Sequence, residues 1–252
     1  PPSPPPPPAP RPPRPTAVVT VPAGEAVVLF DDFEDVNSGW PLYDFQQEHV
    51  RYAEGGLDLI ADGANVLVRS VAPVGMFGDG AFEATMRRVG DSGAFYGLGF
   101  GPPSLGFMFF VFSDGTYGIY ELGGGGAKTH QGKRASAAIA RGTAPNRLRV
   151  EREGATVTLF VNGERLRTFE HPLLVERGGA VLMLQAVGDG AATARFDDVL
   201  ITRFTADRPT VTPTPEPTMA PTPSPEPTRP AGAILFQDDF GDPTSGWITA
   251  DD

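Results

Sequence analysis

The chain has 252 residues, no cysteine, 28 prolines and a formal net charge of −11. Without cysteine there is no disulfide framework, thiolate metal site or cysteine nucleophile. The acidic balance argues against a nucleic-acid partner, which needs a basic footprint. No apolar run reaches the length of a membrane-spanning helix, so membrane insertion within this segment is not expected.

Proline divides the chain. Eleven of the first fifteen residues are Pro, and nine more lie between Pro209 and Pro230. Proline fixes φ and lacks the N–H that helices and ladders use, so such tracts favour extended polyproline II spacers. The expected organisation is a Pro-rich linker over 1–17, a folded body over 18–206, a Pro/Thr-rich linker over 207–232 and a further segment over 233–252. The chain starts inside a Pro tract, without an initiator Met or a signal peptide, and so reads as a piece of a longer protein.

The first folded segment carries Asp31-Asp32-Phe33, Asp35 and Ser38-Gly39-Trp40. The last carries Asp238-Asp239-Phe240, Asp242 and Ser245-Gly246-Trp247. These ten-residue stretches agree at seven positions and contain both tryptophans of the chain. A spacing of about 200 residues is too long for a solenoid repeat, so whole domains in tandem are expected, the second one cut short.

Between the linkers the chain reads as strands. Phe82, Ala84 and Met86 alternate with Glu83, Thr85 and Arg87, the period of two of a half-buried strand. Phe107 to Phe112 is a continuous apolar run, turned at Ser113-Asp114-Gly115 and followed by Thr116 to Leu122, a hairpin pattern. Leu148 and Val150 alternate with charged residues. Val157, Leu159 and Val161 follow, then Asn162-Gly163, a two-residue turn signal. Val181 to Val187 and Ala194 to Phe204 close the body. No segment keeps a helical period. The expected fold is all-β, a two-sheet antiparallel sandwich of about twelve strands.

The acidic opening motif, Ser113-Asp114-Gly115-Thr116-Tyr117, Asn146-Arg147-Leu148-Arg149-Val150, Leu159-Phe160-Val161-Asn162-Gly163 and Phe196-Asp197-Asp198-Val199 occur in this order. The set resembles the concanavalin A-like lectin/glucanase sandwich, in its bacterial laminin-G-like or 3-keto-disaccharide-hydrolase-like form. The resemblance implies a jelly roll with one concave sheet, an extracellular or bacterial cell-surface location and frequent glycan binding. It also implies that the first and last strands are neighbours, which would bring the Asp31-Asp32 and Asp197-Asp198 pairs together.

The glycan-hydrolysing relatives carry an E-x-D-x-x-E strand, which sets an acid and a nucleophile on one strand face, and retaining hydrolysis needs two carboxyls about 5–5.5 Å apart. No Glu here has an Asp two positions later, so the catalytic residues do not carry over and a non-catalytic module is expected. Candidate ligand contacts are Trp40, Tyr43, Tyr96, Tyr117 and Tyr120, rings that stack on sugars or anchor contacts. Glu83 and Arg87 join them as strand residues that could stand on the concave sheet. Ser-Gly-Trp could equally be a structural corner of the domain. Asp31, Asp32, Asp197 and Asp198 could hold a structural calcium ion, or cap turns. Gly97 and Gly99 leave one strand face bare, open to a ligand or to a packing neighbour. His49, His130 and His171 look isolated. The expected task is recognition of a glycan or surface polymer, with affinity raised by repetition and with neighbouring domains of the same chain as partners. The competing readings are a structural or sensory spacer, a protein-binding module and a glycan-processing hydrolase.

Overall fold

The computed structural model describes residues 19–208 apart from 54, 91–92, 103–105, 124–125 and 188–189. The chain divides into two units, Pro1–Pro209 and Thr210–Asp252. The whole second unit, and with it the Pro/Thr-rich linker and the second Ser-Gly-Trp motif, lies outside the described residues, as does the first Pro-rich tract.

Fifteen strands make up the described body: β1 (Glu25–Asp31), β2 (Tyr43–Phe45), β3 (Glu48–Tyr52), β4 (Leu57–Ala61), β5 (Leu67–Val71), β6 (Gly80–Val89), β7 (Ala94–Gly101), β8 (Gly106–Phe112), β9 (Thr116–Gly123), β10 (Gly126–Ala135), β11 (Asn146–Glu153), β12 (Thr156–Val161), β13 (Glu164–Glu170), β14 (Gly179–Ala186) and β15 (Ala192–Phe204). One 3-10 turn at Pro172–Val175 is the helical element among them. The expected count of about twelve fell short because short strands such as β2 and β3 carry little alternation of their own.

The strands form two antiparallel sheets. A nine-stranded sheet runs β13-β12-β11-β6-β15-β4-β3-β2, with β1 also paired to β15. A six-stranded sheet runs β10-β9-β8-β7-β14-β5. This is a two-sheet sandwich, as the alternation implied, and a jelly roll, as the resemblance implied. Asn162 and Gly163 both have positive φ, 49° and 85°. They form the two-residue turn that fixes the β12–β13 hairpin, where Val161 pairs with Glu164.

The core lies between the sheets. Phe82, Ala84 and Met86 of β6 and Leu148 and Val150 of β11 point inward from one sheet. Leu98 of β7, Phe107, Phe109 and Val111 of β8 and Leu182 and Leu184 of β14 meet them from the other. The continuous apolar run of β8 has a second purpose. Its alternate residues Met108, Phe110 and Phe112 belong to a separate apolar cluster with Met183, on the opposite side of the same sheet. The six-stranded sheet is therefore apolar on both faces, which explains why β8 shows no alternation.

Candidate functional site

The Asp31–Trp40 motif builds a corner rather than a ligand site. Asp31, 5% exposed, accepts a hydrogen bond from the Phe33 N–H at 2.8 Å with one carboxylate oxygen. The other accepts from Trp40 Nε1 at 2.7 Å. That pair draws the Trp40 ring onto Phe33, with centroids 5.6 Å apart. Phe33 also packs on Tyr52, whose hydroxyl meets Ser38 Oγ at 2.9 Å. Phe33 takes a φ of 57° to make the turn. Asp31, Phe33, Ser38 and Trp40, four of the seven residues repeated in the second motif, thus have a packing or hydrogen-bonding task here.

Three of the four aspartates accept N–H hydrogen bonds. Both Asp31 oxygens are taken by N–H donors. Asp32 accepts from the Glu34 N–H, and Asp197 accepts from the Asp198 N–H at 2.9 Å. β1 and β15 are neighbours as the resemblance implied, with Asp31 opposite Val199. Asp198 sits at a β-bulge with a φ of 48°. Among the described residues no three His, Asp or Glu side chains are grouped to hold a metal ion.

The expected aromatic contacts separate into core and surface. Trp40, Tyr96 and Tyr117 are 4%, 0% and 5% exposed, so their ring faces are spent on core packing and cannot stack on a ligand. Tyr96 shares a strand face with Leu98 and Phe100 and takes a 3.5 Å hydrogen bond from Asn146. Burial raises its phenol pKa. Tyr117 packs edge-on against Phe109. Tyr43 is half-buried. Its hydroxyl donates to the Arg69 carbonyl at 2.8 Å, and the Arg69 N–H donates back to it at 3.3 Å. Tyr120 is the expected ring that reaches the outside of the six-stranded sheet, beside Phe110.

Glu83 and Arg87 stand on the other sheet. Glu83 projects from the outer face of the nine-stranded sheet and is 6% exposed. Arg147 binds one of its oxygens, and Arg149 approaches the other at 3.8 Å. Arg149 also binds Glu25 and Glu151, the latter at 2.8 Å. Arg208 reaches Glu151 at 2.6 Å while lying over the Phe204 ring. The carboxylates of this network are engaged by guanidinium groups, which leaves Glu83 a structural ion-pair residue. Arg87 is exposed on the same sheet, opposite Arg195.

The open site is on the outside of the six-stranded sheet. There a trough of about 720 Å³ is bounded by Arg69 and Val71 of β5, Val181 and Met183 of β14, Met108 of β8 and Leu122 of β9. Gly99 of β7 and Gly179 of β14 form its floor. A Cβ on Gly99 would meet Met183 Sδ at 2.6 Å, whereas one on Gly179 would meet nothing within 4 Å. The stripe read from Gly97 and Gly99 is thus packed, by the Phe109 carbonyl at Gly97 and by Met183 at Gly99, and the open position is Gly179. The rest of the face is filled by Phe95, Phe110 and Phe112 rings. Among the described residues that bound the trough there is no carboxylate; its one charged group is Arg69.

A second cluster escaped the sequence. His130 and His171, 41 positions apart, both set their rings against Phe107. Glu121 lies 3.9 Å from His130 Nδ1 and binds Lys128 at 2.7 Å. The Lys128 hydrogen bond lowers the Glu121 pKa, and burial lowers that of His130. The pairing of β9 with β10 brings Glu121 beside Lys128 and His130, and His171 follows β13; no local spacing announces it.

No family model matches the chain, and no curated protein matches it. Solved structures do resemble it. A β-glucanase from Bacillus licheniformis superposes with a TM-score of 0.54 at 12% identity, covering 71% of this chain and 98% of that one. A glycoside hydrolase family 16 enzyme of a mixed-linkage glucan locus in Bacteroides ovatus gives 0.53 at 11% identity, covering 69% and 100%. The catalytic domain of an endo-1,3-β-glucanase from Thermotoga petrophila gives 0.54 at 9% identity, covering 71% and 98%. All are concanavalin A-like jelly rolls, and that is the fold of this chain.

Proposed function

We propose that this body is a non-catalytic, extracytoplasmic recognition module for a glycan or other surface polymer, binding along the outer face of the six-stranded sheet. One observation carries the reading: that face has an open trough without a carboxylate in its described lining. Glycoside hydrolysis needs two carboxyls flanking the scissile bond, so a chain lying there would be held and not cut. The similarity to enzymes described as glucanases supports a glycan as the ligand class. Tyr120 supplies the outward ring of that face, and Arg69, positioned by Tyr43, supplies a charged donor.

Tandem copies joined by the Pro/Thr-rich linker would multiply a weak single-site affinity through effective concentration. The rings that fill half of the face favour a second reading, a spacer or protein-binding module.

A glycan array with the whole chain, with and without a chelator, decides between them. Binding that survives chelation, is weakened by Tyr120→Ala and leaves the glycan uncut is the expected result. Release of new reducing ends would make the module an enzyme. Silence across the array would favour the spacer.

A further inference from the structure

The trough is apolar along most of its length. Its walls are Val71, Met76, Met108, Leu122, Val181 and Met183. It is also not closed by its own side chains, since Val71 and Met76 remain 51% and 53% exposed. Arg69 lies at its β5 wall and makes no ion pair with the described residues, and its backbone is held on both sides by Tyr43. A volume of about 720 Å³ is that of a small-molecule pocket. Its methionines suit a flexible apolar occupant, because the unbranched thioether chain adapts its shape.

We propose that this trough binds an unbranched acyl chain bearing an anionic head. The chain lies on the Gly99–Gly179 floor between the methionine and valine walls, and the head pairs with Arg69. Apolar walls and a cation that makes no ion pair with the described residues fit this class, and an acyl chain would compete with a glycan for the trough.

The test titrates the whole chain with octanoate, decanoate and dodecanoate below their micelle concentrations, read by calorimetry. The expected Kd falls about fourfold per added methylene. Arg69→Ala should weaken the carboxylates about tenfold and leave 1-decanol unchanged. Gly179→Trp fills the floor from a position where a side chain meets open space, and should abolish binding; Val71→Glu on the exposed rim should do the same without touching the floor. Folding of each variant is checked by its melting temperature. A flat chain-length series, or full binding by both variants, overturns the proposal. Dodecyl maltoside separates the sources: binding as tight as dodecanoate would overturn the anionic head, and weaker binding would support a free acid. A soluble β-glucan oligosaccharide, run in parallel, reports on the glycan reading alone.

Discussion

On the outside of the nine-stranded sheet, Glu25, Glu83 and Glu151 are tied to Arg147, Arg149 and Arg208. On the outside of the six-stranded sheet, Met108, Phe110, Phe112 and Met183 pack against one another. Both faces carry large side chains, but they are completed differently. Matched ions satisfy each other and leave a ligand little to gain. Apolar groups are completed only by contact, and at Gly179 a missing side chain leaves the face open. The trough at Gly179 is that gap. On the proposed reading, recognition belongs to the apolar face and fastening to the charged one.

The largest effect should come from the charged face. Asp58 and Arg195 form a two-bond pair, at 2.6 and 2.8 Å, and both are nearly buried. Asp58→Ala should cost about 3–5 kcal/mol in urea unfolding, because Arg195 would keep its charge without that partner. A loss below about 1 kcal/mol would mean that ion pairs do not fasten this face.

The apolar face offers an internal control of intermediate size. Gly97→Ala would set a Cβ 1.8 Å from the Phe109 carbonyl oxygen and should destabilise by about 2–3 kcal/mol, the upper range of overpacking. Gly179→Ala, which meets nothing within 4 Å, should stay within about 0.5 kcal/mol. Equal melting temperatures for the two would erase the distinction between packed and open glycine.

The smallest effect is expected where the faces' chemistries mix. Lys133 Nζ lies 4.0 Å from the Phe112 ring centroid and is about half exposed. Lys133→Ala should cost about 0.5–1 kcal/mol, measurable by thermal melts at low and high salt.

Much of the sandwich was readable because half-buried strands announce themselves. β6 and β11 alternate, and Asn162-Gly163 marks its turn. The site was less readable, for physical reasons. Tyr96 is a contact residue by type, yet the alternation Tyr96, Leu98, Phe100 already puts it on the core side. Trp40 was ambiguous alone, and only the hydrogen bond to Asp31 makes it a corner. Glu83 was placed correctly as outward, but parity cannot say which sheet a strand joins. The trough arises from glycines on two strands far apart in sequence, and the Glu121–His130–His171 cluster from residues on three elements. Such features depend on register and sheet order, which no local pattern encodes.

β15 has one more consequence. This last strand of the described body is the middle of its sheet, pairing with β6, β4 and β1. While a ribosome is still making it, β4 and β6 each present a raw edge with no neighbour to fill it. The nine-stranded sheet can therefore close only after residue 204 has emerged, so assembly is a late and long-range event. In an array of such domains each newborn copy would pass through a window of open edges beside a finished one. A stretch of chain that holds consecutive copies apart would then protect folding itself.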